Sequence, residues 1–213
     1  MISVHLKEID GRWFGLACEG DGIVATAAAS GRESALHKLV RGVPAGAGYR
    51  FSEESSEFAE KTIGMLAELE AGHEENKCFS LAAAYVSKPL AEVLSAAAAI
   101  PVGYVTTYGR IADASCTEAR IVGRIMASNP LYPIVPCHRV VGADLALVGY
   151  TGRRDESALR AKLARLSRET RGCTREIEVH VNGKTLKVFP VEWAIAKAGQ
   201  LSPGAARQRT LFE

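Results

Sequence analysis

The sequence predicts a small α/β domain, a sheet packed with helices, followed by a mainly α domain built on a helix-turn-helix, and then a C-terminal β-hairpin extension. Three observations lead there. Apolar strand-like runs separated by a glycine turn fill the N-terminus. Two short helical patterns meet at a brief turn in mid-chain. Asn182-Gly183 lies between two alternating runs near the end, a strong two-residue hairpin signal. The expected boundaries are 1–87, 88–172 and 173–213.

Residues 2–8 and 13–18 read as strands joined at Asp10-Gly11, with Ile23–Ala29 as a third. Ser34–Val40 reads as a short helix, and the glycines and proline of 43–48 as a loop. Ser55–Glu70 is the clearest early helix, because Phe58, Ile63, Leu66 and Leu69 recur at helical spacing among acids. Phe79–Val86 fits a strand or a helix. Pro89 suits a helix N-terminus, with Leu90–Ile100 behind it and Pro101-Val102-Gly103 as the stop.

Residues 107–114 and Thr117–Ala127 form the predicted helix pair, linked around Ser115-Cys116. Arg120 and Arg124, four residues apart, share a face of the second helix and suit an anionic surface. Three prolines in 130–136 exclude regular helix, and three glycines mark 140–152 as a loop. Ser157–Glu169 is amphipathic, Glu176–Val188 is the hairpin, Val191–Ala198 a short helix, and Leu201–Glu213 a loose tail.

Composition narrows the class. The chain has 213 residues, 47% hydrophobic and 23% charged, which excludes disorder, collagen and coiled-coil arrays. Apolar stretches such as Leu94–Pro101 are too short to span a bilayer. The start, Met1-Ile2-Ser3-Val4-His5, lacks a basic region followed by an apolar run, so a cytoplasmic, membrane-free protein is expected. Five cysteines, sparse and odd in number, argue against a disulfide framework. The net charge of +2 is uneven: −5 over 1–100, +5 over 101–172 and +2 over 173–213. An anionic partner would meet the middle of the chain, although ordinary scatter of solvated charge explains the same numbers.

Pro136-Cys137-His138-Arg139 is the tetrapeptide with most chemistry. A cysteine attacks as thiolate, and nearby positive charge or a general base promotes that form. Adjacent side chains diverge, so Cys137 and His138 would communicate through a water. A buried structural cysteine beside a capping histidine is the alternative on local chemistry alone.

The wider pattern decides between them. Ile100-Pro-Val-Gly-Tyr-Val-Thr-Thr-Tyr-Gly-Arg-Ile-Ala112 precedes Ala119-Arg120-Ile121-Val122-Gly123, Asn129-Pro130 and Val135-Pro136-Cys137-His138-Arg139-Val140-Val141. Gly149-Tyr150-Thr151-Gly152 follows, then Lys162 with Glu169 seven residues on. Over residues 100–169 this ordered set resembles the O6-alkylguanine-DNA alkyltransferases, the suicidal DNA-repair methyltransferases. Residues 1–99 match only in general plan.

The resemblance implies a winged-helix-like DNA-binding domain and a single-turnover transfer of the alkyl group from O6-alkylguanine to Cys137. It implies His138 as the group that takes the thiol proton, Glu169 as its orienter, Tyr108 as proton donor to the departing purine, and Asn129 as a brace for the active-site turn. Arg120 would fill the place of a flipped nucleotide, with Ala119, Gly123, Arg124 and Ala127 in the minor groove of double-stranded DNA. Val148, Tyr150, Thr151 and Lys162 would line the base pocket. The implied protein is a monomer with no cofactor. Some members carry structural zinc, and His5, Cys18, His73 and Cys78 could supply ligands, but their spacing is not diagnostic.

Three departures stand out. The path after Gly152 is about five residues longer than usual, through Arg153-Arg154-Asp155-Glu156-Ser157. Asp144-Leu145-Ala146 replaces a small glycine-containing turn, and some 40 residues follow Glu169. Gln208–Phe212 faintly resembles a sliding-clamp-binding peptide without its paired aromatics. Three other readings stay open: a binder of alkylated bases, which would lack the cysteine; a cysteine hydrolase; and a plain helix-turn-helix regulator.

Overall fold

The computed structural model describes residues 1–52, 56–73, 80–82 and 85–200, and the chain divides into two compact units. The first comprises Met1–Ala91 with Ser128–Val135; the second comprises Glu92–Ala127 with the chain from Pro136 onward.

In the first unit, β1 (Ile2–Ile9), β2 (Arg12–Glu19) and β3 (Gly22–Ala29) form an antiparallel meander. Asp10 and Gly11 both adopt positive φ, at 50° and 72°, the geometry a two-residue hairpin turn requires. Helix α1 (Arg32–Gly42) covers the sheet, and Leu39 packs with Ile2, Val4, Ala17 and Val24. β4 (Tyr49–Phe51) adds a parallel edge beside β1, and β5 (Ser80–Leu81) pairs parallel with β3. Helix α2 (Glu57–Ala71) starts at Ser56, whose hydroxyl accepts from the Ala59 N–H, and stops at Gly72 in the left-handed region.

The segment 128–135 closes on this unit. Thr26 N–H donates to the Pro130 carbonyl at 2.7 Å, and its hydroxyl donates to the Tyr132 carbonyl at 3.0 Å. The Tyr132 hydroxyl donates to buried Glu70, which also accepts from Arg12 at 2.6 Å. Expectation assigned 128–135 to the second domain; its apolar side chains Leu131, Ile134 and Val135 are instead buried in the first unit.

Helix α3 (Lys88–Ala98) leads into the second unit. There β6 (Tyr104–Thr107) runs into α4 (Tyr108–Ala114), capped by the Thr107 hydroxyl, and α5 (Ala119–Ala127) follows after a turn in which Cys116 has φ 47°. A single 3-10 turn, Cys137–Arg139, precedes β7 (Val140–Val141). Then come α6 (Glu156–Arg168), β8 (Ile177–Val181), β9 (Lys184–Pro190) and α7 (Val191–Gln200).

β8 and β9 are joined through Asn182 and Gly183, at φ 54° and 69°. They are not a separate extension. β9 pairs with β6, giving the sheet order β7-β6-β9-β8, and Val105, Val141, Leu166, Val191 and Ala194 form one core. The expected division at 172/173 therefore gives way to one unit that includes the hairpin.

Among the described residues no helix is long and apolar enough to cross a membrane. Nor is any group of three or more His, Cys, Asp or Glu side chains there placed to hold a metal. Cys78 and the tail 201–213 lie outside the described residues.

Candidate active site

The 3-10 turn buries three consecutive side chains, Cys137, His138 and Arg139. The Arg139 N–H donates back to the Pro136 carbonyl at 2.8 Å, fixing the turn. In the first unit, Asn129 donates through Nδ2 to the Val135 carbonyl at 2.7 Å and accepts from the Leu131 N–H at 3.0 Å. It thus braces the stretch that ends one residue before Pro136.

Glu169 caps α6 and ties the array together. Its Oε1 lies 2.8 Å from His138 Nε2, and Arg139 grips both oxygens, Nε to Oε2 at 2.7 Å and Nη2 to Oε1 at 2.8 Å. Arg139 Nη1 donates to the Ile100 carbonyl at 2.7 Å. Burial alone would raise the Glu169 carboxyl, but hydrogen bonds and charge from His138 and Arg139 outweigh it and hold the pKa at about 2. Burial pushes the His138 pKa down against the opposing pull of Glu169, so the ring is neutral at neutral pH. Arg139 then carries the cationic half of the pairing. A neutral ring beside a carboxylate donates Nε2–H, which leaves the lone pair on Nδ1.

Cys137 also lines a cavity of about 660 Å³. Its walls are Tyr108 from α4, Ala119, Arg120, Gly123, Arg124, Met126 and Ala127 from α5, and the loop 148–154. The predicted Val148, Tyr150 and Thr151 all lie there. Burial and the nearby Cys137 sulfur raise the Tyr108 hydroxyl to about 12, so it stays protonated at neutral pH. The cavity's volume falls within the range of small-molecule pockets.

Lys162 is a correction. Expected in the pocket lining, it is instead fully buried, with Nζ donating to the Val140 carbonyl at 2.5 Å and the Gly149 carbonyl at 3.0 Å. It ties β7 to the loop ahead of Tyr150 and sits 5.9 Å from the centre of the Tyr108 ring. Burial lowers its pKa to about 8.

Sequence reasoning gave Arg139 no part in the site beyond its charge, yet it clamps Glu169. Its adjacency to Cys137 and His138 was the available signal. Met126, Gly152, Arg153 and Arg154 were also absent from the expected lining.

Residues 90–171 match the family model for the 6-O-methylguanine DNA methyltransferase, DNA binding domain. Over these residues the chain is similar to this methyltransferase family. A methylated-DNA–protein-cysteine methyltransferase of Pyrobaculum aerophilum is 58% identical over 53 residues, covering 25% of this chain and 36% of that protein. Its namesake in Archaeoglobus fulgidus is 43% identical over 77 residues, covering 35% and 52%. The chain thus spans from about a third to about half the length of these curated relatives. The fold extends further. The crystal structure of the O6-methylguanine-DNA methyltransferase of Pyrococcus kodakaraensis aligns at a TM-score of 0.54 and 26% identity, over 78% of this chain and 98% of that one. A Mycobacterium tuberculosis family structure in complex with DNA shares the fold at a TM-score of 0.56 and 24% identity, over 79% and 95%.

Proposed function

We propose that this protein is a methylated-DNA–protein-cysteine S-methyltransferase that reverses O6-alkylguanine damage by moving the alkyl group onto Cys137. One observation carries the reading: Cys137 borders a cavity with room for a purine and is followed directly by a histidine that Glu169, itself held by Arg139, bonds at Nε2.

The thiol proton passes to His138 Nδ1 through a bridging water. Glu169 then faces an imidazolium, and its negative charge stabilises that form. The sulfur attacks the alkyl carbon; the C–S bond forms as the C–O bond breaks, and the electron pair stays on the purine. Tyr108 supplies the proton that makes the departing base neutral guanine, and solvent then returns a proton to Tyr108 as His138 sheds the one taken from the thiol. The net change is thiol plus alkylguanine to thioether plus guanine. A thioether cannot return the alkyl group, so the reaction is single-turnover.

The nucleotide must leave the duplex to reach the cavity, at a cost of about a few kcal/mol. Arg120 on exposed α5 fills the gap, while Ala119, Gly123 and Ala127 let the helix approach the minor groove and Arg124 meets phosphate. The sheet beside the helix pair supports the winged-helix-like description. The protein acts as a DNA-associated cytoplasmic monomer and needs no cofactor.

Incubation with duplex containing O6-methylguanine, followed by intact-mass analysis, tests this. One methyl should appear, mapped to Cys137, with no turnover beyond one equivalent. Repeated turnover, or an unchanged mass despite DNA binding, would overturn the proposal.

A further inference from the structure

The longer path after Gly152 has no part in the mechanism above, yet it is firmly built. Tyr150 and Arg153 exchange two backbone hydrogen bonds of 2.9 Å around Thr151 and Gly152, whose φ values are 50° and 77°. This is a two-residue hairpin turn, stiff at both central positions. At the other end Asp155 caps α6: its Oδ1 accepts from the Ala158 N–H at 3.1 Å and the Ser157 hydroxyl at 2.6 Å. Arg153 is occupied in holding this structure, with Nε donating to Asp155 Oδ2 at 2.8 Å.

Arg154 is different. It lies between the turn and the cap and has no carboxylate partner among the described residues. It lines the same cavity as Cys137 and Tyr108. A Cβ placed on Gly149 would stand 2.9 Å from the Arg153 carbonyl and 3.5 Å from Arg154 Cγ, so glycine there is what lets this strand lie so close. Its charge also acts on the Tyr108 phenol, opposing burial and the Cys137 sulfur. The other charged groups on the cavity wall are Arg120 and Arg124 of α5 and the paired Arg153.

We infer that Arg154 is a cavity cation that stabilises the negative charge appearing on the purine as the alkyl carbon moves from O6 to Cys137. The inference rests on the alkyl-transfer reading. Charge reaches the purine when the C–O bond breaks, and Tyr108, a weak acid, delivers its proton late. A cation facing that charge lowers the barrier, by less than a buried one would because Arg154 is exposed and partly screened. No new bond or co-reactant is involved.

The test uses the full chain with Arg154→Gln and Arg154→Lys, each checked for unchanged melting. Single-turnover rates are measured with free O6-benzylguanine, with its 8-bromo derivative and with O6-methylguanine duplex. Arg154→Gln should slow free O6-benzylguanine by about tenfold, as loss of one partly screened charge contact would. The 8-bromo compound releases a more stable purine anion and should be slowed less. The duplex should be slowed about as much as the free base, and Arg154→Lys should recover most of the rate. Equal slowing of both free bases would mean a role in cavity shape, and loss confined to the duplex would mean a phosphate contact; either overturns the inference, as does no slowing at all. A wild-type protein that forms no thioether with any substrate would refute the alkyl-transfer reading itself, an outcome distinct from these.

Discussion

Glu169→Gln would show how much of the site's stability resides in one carboxylate. The wild-type carboxyl is held at about 2, against an ordinary value of about 4.3. Each pH unit across that interval is worth about 1.4 kcal/mol, so the ionised form contributes about 3 kcal/mol to folding. A second route agrees. Removing one partner of a buried ion pair costs about 3–5 kcal/mol, because the remaining charge stays in the interior, and Arg139 is 2% exposed. The sign follows from the lowered value: the stabilisation is complete above pH about 4.3 and is lost as pH falls through about 2. Urea denaturation of wild type and variant should therefore differ by about 3 kcal/mol at pH 7 and by about 1 kcal/mol at pH 3. A difference that ignores pH, or one below about 1 kcal/mol at pH 7, would refute the assignment of Glu169 as the charged anchor of His138 and Arg139. Alkyl transfer should slow in the same variant, since a glutamine cannot stabilise the imidazolium as a carboxylate does.

Three further outcomes are expected. Lys162 is lowered to about 8, so the wild type should gain stability as pH rises from about 8 to about 10.4; Lys162→Met, compared by urea denaturation, should lack that rise, and parallel curves would contradict it. Arg120→Ala should slow repair of O6-methylguanine in duplex far more than reaction with free O6-benzylguanine, whereas equal losses in both single-turnover assays would remove its role in filling the duplex. Gly183 sits at φ 69° in the β8–β9 turn, so Gly183→Ala should lower stability by about 1 kcal/mol in a thermal melt, and a neutral effect would show that the turn relaxes freely.

What could be read from the residues alone follows a physical line. The Asp10-Gly11 and Asn182-Gly183 turns were legible because two consecutive left-handed residues leave few amino-acid choices. Helix α2 was legible from its periodicity, with Ser56 and Gly72 marking the ends. β4 and β6 were not: β4 is exposed along its length, and β6 finds its partner in Phe189 and Pro190, far along the chain. The same distance hid the membership of β8 and β9 in the second unit. At the site, ordered motifs singled out Cys137, His138, Glu169 and the cavity wall. They could not show that Arg139 reaches a carboxylate 30 residues away. Nor could they show that Lys162 is sunk beneath the loop, since lysine is ordinarily a surface residue.

The chain leaves its first unit near Ala91, returns for Ser128–Val135, and departs again at Pro136. Helix α5 and Cys137 therefore stand on either side of a short segment that bonds to Thr26 of β3. In a fragment starting at residue 92 the Pro130 and Tyr132 carbonyls would lose Thr26, beside the side chains of Leu131, Ile134 and Val135 that the whole chain buries. The segment between α5 and Cys137 is thus bonded into the first unit, although both of its neighbours in the chain belong to the second.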